Sequence, residues 1–301
     1  MPSALDHALT VVLAVLFPVS AATFGLRRLM RASPERLPQL RVSTYRRAIA
    51  LQWTLTAAVF ALWVTHHRLW GELGLIPKLN GGLIGCAVGL VVSAAFVLRQ
   101  RAAVVNDGDS LRVVRRRLEN VQVMMPRSVR ELRWFCALSV TAGICEETLY
   151  RGYLIWYFQH YLGLVPAAAA AAVVFGIGHS YQGPMGVALT ALVGAFLGAV
   201  YIVSRSLPIP MLLHALMDLH SGHLAYVAYA REALEARATA VFAPAPGGAA
   251  LAAPHPGPGP AGGETMPPGA ATGPAHVPAA SGGSIAPAAA PPPEADDAPD
   301  A

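Results

Sequence analysis

Apolar stretches long enough to cross about 30 Å of hydrocarbon as helix constrain this chain more than any single motif. They run from Leu5 to Leu26, Ala48 to Thr65, Leu79 to Leu98, Trp134 to Tyr157, Val165 to His179, Val187 to Val203 and Pro208 to Tyr229. Hydrophobic residues make up 54% of the 301-residue chain and charged residues 13%, about half the charged share of an ordinary soluble domain. The expected fold class is therefore all-α: a polytopic transmembrane helix bundle of seven spans, or eight, with a disordered C-terminal tail. No basic residue precedes the first stretch and Arg27-Arg28 follows it, so it reads as a retained helix and not as a cleaved signal peptide.

Arginine placement gives an orientation. The segment after the first span carries Arg27, Arg28, Arg31, Arg36, Arg41, Arg46 and Arg47, and nine arginines lie between Arg99 and Arg133. The loop between the second and third spans has only Arg68 and Lys78. By the positive-inside rule both arginine-rich segments are cytoplasmic, which puts the N-terminus outside and, with seven spans, the C-terminus inside. The expected location is a multi-pass protein of a bacterial inner membrane. Basic runs such as Arg115-Arg116-Arg117 next to membrane helices meet anionic lipid headgroups, so lipid and not nucleic acid is the expected partner.

The chain divides by composition into four parts. Residues 1–127 hold the front helices and arginine-rich loops, and residues 128–230 hold a helix bundle rich in polar motifs. Residues 231–243 continue the last helix beyond the membrane. Residues 244–301 contain 15 of the 25 prolines with much Ala and Gly; without hydrophobic periodicity to offset the cost of ordering, this tail is expected to be disordered. Cys86, Cys136 and Cys145 share no metal-ligand spacing and read as small buried hydrophobes. The alanine run Ala167 to Ala172 reads as a helix-packing surface of small residues.

Ionisable side chains inside such stretches are functional candidates by default, since one charge at a helix centre costs roughly 2.5–3.5 kcal/mol. Glu146, Glu147 and Arg151 form the first group. Four residues apart on a helix, Glu147 and Arg151 face each other in the favourable acid-before-base order, so they read as a structural pair that leaves Glu146 free. His179 closes Phe175-Gly176-Ile177-Gly178-His179, and His214 precedes Asp218 by one helical turn, a spacing that lets the carboxylate set the imidazole tautomer. Cys145 is turned about 100° from Glu146 by one helical step, which argues against a nucleophilic role. Convergence of these groups on one wet cavity costs less than burying each alone.

These residues resemble, in order and spacing, the three motifs of the CPBP family of CAAX prenyl proteases and bacteriocin-processing proteins, also called the ABI family of intramembrane proteases. The motifs are Glu146-Glu147-x-x-x-Arg151, Phe175-x-x-x-His179 and His214-x-x-x-Asp218, and the resemblance covers roughly Ser128 to Tyr229. It implies an integral-membrane endopeptidase, CAAX-protease-like, acting on a membrane-associated protein or peptide. Glu146 would then be the base that activates water, His179 would help hold that water, and His214, alone or with Asp218, would stabilise the oxyanion. Glu147 and Arg151 would give structural support. The last motif departs from the commoner Asn ending; an amide can donate to an oxyanion and an ionised carboxylate cannot, so the expected role of Asp218 is to orient His214.

Family members are often labelled metallopeptidases, and Glu146, His179 and His214 would supply a two-histidine, one-glutamate set for zinc. No His-Glu-x-x-His helix is present, and a metal-free mechanism is the preferred reading. His220 and His223 could be an extra ligand pair but read as interfacial; His66 and His67 need no function. Two other classes fit parts of the pattern: a catalytically silent immunity or scaffolding membrane protein, and a transporter, for which the inverted repeats expected of many carriers are not found.

Overall fold

The computed structural model describes residues 1–16 and 26–242. Helix starts follow local chemistry. Ser3 and Ser128 each form a capping box with the acid three residues on, Asp6 and Glu131, which satisfies two orphan backbone donors at once. Asn80 and Asp107 cap through side-chain oxygens, and Pro184 opens its helix at a position where no backbone N–H is needed. In chain order the helices are α1 (Ala4–Val11), α2 (Leu26–Met30), α3 (Leu37–Thr65), α4 (Gly81–Asn106), α5 (Gly108–Arg117), α6 (Val129–Glu147), α7 (Ile155–Leu162), α8 (Leu164–Gly178), α9 (Pro184–Ser204) and α10 (Pro208–Phe242). A π-helical segment, Thr148–Leu154, joins α6 to α7 without a break in helical backbone. Among the described residues there is no strand, as the all-α expectation requires.

Three helices, α3, α4 and α9, are long and apolar enough to cross a membrane by length and composition. The other expected spans do not reach that measure, for physical reasons. Trp134–Tyr157 lies within the α6–π–α7 run and Pro208–Tyr229 within α10, where Glu146, Glu147, Arg151, His214, Asp218, His220 and His223 lower the hydropathy. Ala4–Leu16 and Leu164–Gly178 are apolar but short. The rest of the expected first span falls on residues 17–25, outside the described residues, as does the tail at 244–301.

Helices α6 and α10 pack side by side, α3 lies along α6, and α8 pairs with α9. Small residues set these approaches. A Cβ on Gly143 would stand 2.7 Å from the Met211 carbonyl and 2.8 Å from Ala215 Cβ, so only glycine lets α6 and α10 come this close. Gly176 does the same between α8 and α9, where a Cβ would meet Ala191 Cβ at 2.7 Å. Ala167, Ala171 and Ala172 of the alanine run are buried, in keeping with a small-residue packing surface. The apolar core gathers Leu55, Val59 and Trp63 of α3 against Leu149, Tyr150, Tyr153, Leu154 and Trp156.

Two buried ion pairs lock the bundle. Arg41 at the start of α3 pairs with Glu131 of α6 at 3.1 Å and donates from Nε to the Val123 carbonyl at 2.8 Å. These contacts tie the two arginine-rich segments together, so both lie at the same end of the bundle. Asp6 of α1 takes a two-pronged pair from Arg68, at 2.8 and 2.5 Å, and the Arg68 guanidinium lies 4.2 Å from the Trp156 ring centre. Sequence reading assigned neither Asp6 nor Glu131 a partner.

Candidate active site

The first motif sits where α6 runs into the π-helical segment, every residue of which is buried. Single π turns inside α-helices mark functional sites often enough to be a guide. Glu147, wholly buried, accepts at Oε1 from Arg151 Nη1 at 2.7 Å, the pairing that the four-residue spacing predicts. Arg151 also donates to the Gly194 carbonyl of α9 at 3.1 Å and stacks 4.5 Å from the Phe175 ring centre on α8. One guanidinium thus binds three helical elements together.

The same Glu147 Oε1 lies 2.7 Å from His214 Nδ1 on α10. A carboxylate facing the ring there makes Nδ1 the donor, so Glu147, and not Asp218, sets the His214 tautomer. This corrects the assignment made from sequence, where the one-turn spacing pointed to Asp218. The Asp218 carboxylate instead stands 3.8 Å from His214 Nε2, with its side chain 41% exposed. A local spacing loses here to a tertiary contact because the ring nitrogen nearer the backbone is already taken.

Glu146 is 8% exposed. Its Oε1 accepts from Gln52 Nε2 of α3 at 2.8 Å, and its Oε2 has no hydrogen-bond partner and faces His214 Nε2 at 4.0 Å. Gln52 was not singled out from sequence. Its only signal there is an amide between Leu51 and Trp53 in the mostly apolar stretch Ala48–Thr65 of α3. Thr56 lies one turn further along α3, and its hydroxyl is likewise buried without a partner.

His179 ends α8, and its Nδ1 lies 2.9 Å from the Phe175 carbonyl. A carbonyl can only accept, so Nδ1 carries the hydrogen and Nε2 presents a lone pair. Among the described residues His179 makes no ion pair with the two glutamates. It joins the group through Phe175, whose ring centre lies 4.8 Å from that of His179 and 5.9 Å from that of His214. Phe175 therefore touches or spaces Arg151, His179 and His214 at once, and Tyr150 closes its other side at 5.0 Å. All three motifs meet around one aromatic ring.

Among the described residues no three His, Cys, Asp or Glu side chains are arranged to hold a metal ion. In the candidate zinc set of Glu146, His179 and His214 the donor atoms left free are Glu146 Oε2 and Nε2 of each histidine, since Glu146 Oε1 accepts from Gln52 and each Nδ1 is held by a carbonyl or a carboxylate. His223 accepts from Arg101 rather than sharing a ligand site with His220, and Cys145 is buried and free.

Residues 128–220 match the family model described as type II CAAX prenyl endopeptidase Rce1-like. The match contains all three motifs and agrees with the CPBP resemblance; the family is one of membrane proteases. No curated protein and no solved structure is detectably similar to the chain.

Proposed function

We propose that this chain is an integral-membrane endopeptidase that hydrolyses a peptide bond of a membrane-associated protein or peptide. The observation that carries the proposal is the Glu146 carboxylate: one oxygen is held by Gln52, and the other is buried, unpartnered and 4.0 Å from the His214 imidazole. A buried carboxylate oxygen left free beside an imidazole is the arrangement expected of a general base.

In this reading a water lies between Glu146 Oε2 and the lone pair of His179 Nε2. As its oxygen attacks the scissile carbonyl carbon, Oε2 takes the proton and the carbonyl electrons move onto oxygen. His214 stabilises that oxyanion from Nε2. To donate there the ring must carry both protons, and the Glu147, Asp218 and Glu146 carboxylates at 2.7, 3.8 and 4.0 Å are the counter-charges for that form. Collapse of the intermediate breaks the C–N bond, and Glu146 returns the proton to the leaving amine. Charged donors aimed at developing charge in a dry site supply the largest part of such catalysis.

The bilayer placement follows the same chemistry. The α6–π–α7 run and α10 cross with their polar motif faces turned into the bundle, as buried ionisable groups in membranes do. The arginine-rich end that Arg41 and Glu131 tie together faces the cytoplasm.

The test is cleavage of a membrane-peptide library by the purified protein. Wild type should cut and Glu146→Gln should not, with both folded. Equal cleavage by the two would end the proposal. Comparing the membrane proteome of a Glu146→Gln strain with wild type would then name the substrate.

A further inference from the structure

Away from the three motifs, a cleft of about 240 Å³ lies between the last turns of α4 and the middle of α10. Leu98, Arg101, Ala102, Val105, Asn106 and His223 line it. Its walls are mostly apolar, and its one charged group is Arg101.

Arg101 is half-buried and has no carboxylate partner among the described residues. It donates from Nη2 to a neutral acceptor, His223 Nε2, at 2.8 Å. A guanidinium carries five N–H donors, so this one bond leaves the others and the whole positive charge uncompensated. The rest of the cleft supplies no anion: Asn106 donates its amide to the Ala102 carbonyl, and His220, one turn before His223, has a buried Nδ1 with no partner. The neighbouring arginines differ in this respect. Arg112 pairs with Asp109, Arg115 with Glu232 and Arg231 with Glu235. Among the described residues Arg101 is the cation that the fold leaves without a counter-charge in a partly enclosed place.

The helix that carries Arg101 adds a second, apolar requirement. No residue of α4 is buried, and Val88, Val91, Val92, Phe96 and Leu98 present exposed apolar surface along it up to the cleft. In a bilayer that surface lies against acyl chains. A ligand for this place must therefore combine an anionic headgroup with hydrocarbon continuing away from it along the helix.

We propose that the α4–α10 cleft binds the phosphate of an anionic phospholipid, with Arg101 as the charged contact and α4 as the surface on which the acyl chains lie. Basic pockets between membrane helices at the cytoplasmic side take headgroups in this way. His223 holds the guanidinium in place from α10, five residues beyond Asp218. The site is independent of the peptidase assignment and needs only that α4 spans the bilayer.

The experiment is native mass spectrometry of the full chain released from phosphatidylcholine nanodiscs and titrated with dioctanoyl phosphatidylglycerol or dioctanoyl phosphatidylcholine. One phosphatidylglycerol should bind in preference to phosphatidylcholine. Arg101→Gln should weaken it about fivefold, the loss expected for one arginine at a lipid surface, and Arg101→Lys should keep part of the preference. Glycerol phosphate at the same concentration should not compete. If Arg101→Gln fails to fold, Leu98→Glu at the mouth of the cleft reads the same effect by repelling the headgroup. Absence of preference in wild type, or unchanged binding in folded Arg101→Gln and Leu98→Glu, overturns the site. Equal competition by glycerol phosphate overturns lipid as its ligand.

Discussion

The Gln52 amide donates to Glu146 Oε1 at 2.8 Å across the α3–α6 interface, and this contact decides which glutamate oxygen is left unpartnered. Glu147 is already committed, to Arg151 and His214 through the same oxygen. Two adjacent carboxylates thus have different partners because different helices reach them.

Glu146→Gln keeps the size of the side chain and an oxygen for Gln52 to donate to, but removes the base. Turnover should fall about 10²- to 10⁴-fold, the usual contribution of general-base catalysis, with the melting temperature nearly unchanged. Single-turnover assays beside melting curves check both halves of the expectation.

Gln52→Leu removes the hydrogen bond that orients Glu146 and keeps an apolar side chain of similar size. The loss of one such bond to a charged group is worth about 1.5–3 kcal/mol, so kcat should fall by at least about tenfold while KM stays close to that of wild type. A change confined to KM would show that Gln52 serves the substrate and not the base.

Glu147→Gln should fail in another way. It leaves Arg151 without its counter-charge and His214 without its anionic acceptor, both buried. Breaking a buried pair costs about 3–5 kcal/mol, so the variant should melt well below wild type. The double variant Glu147→Gln with Arg151→Met should recover part of that loss, because no buried guanidinium is left without its carboxylate. Thermal unfolding of the four proteins closes the cycle.

Gly143→Ala tests the close approach of α6 and α10. The new methyl would press on the Met211 carbonyl at 2.7 Å, and overpacking of this kind costs about 1–3 kcal/mol. Because this contact lies one turn from Glu146 and Glu147, cleavage should fall by more than the loss of folded protein explains. Gly85→Ala, where a Cβ meets nothing within 4 Å, is the control and should lose neither stability nor cleavage, since alanine is the better helix former.

Cysteine labelling tests the orientation. Single cysteines at Arg36 and Arg116, in a chain freed of its native cysteines, should resist a membrane-impermeant thiol reagent in intact cells and react once the cells are opened. Labelling of either from outside would reverse the proposed topology.

The residues alone determined the helical class, the apolar segments and the local pair Glu147–Arg151, since contacts one helical turn apart depend only on helix geometry. The three motifs were also legible in sequence, and they fall within the family match at residues 128–220. Tertiary structure decided the rest. Gln52 and Glu146 are 94 residues apart and Glu147 and His214 are 67 apart, so no periodicity connects them. Which helices pack, and how closely Gly143 lets them approach, settles whether His214 meets Glu147 or Asp218. One-turn spacing offered Asp218, and the packing of α6 against α10 gave the position to Glu147.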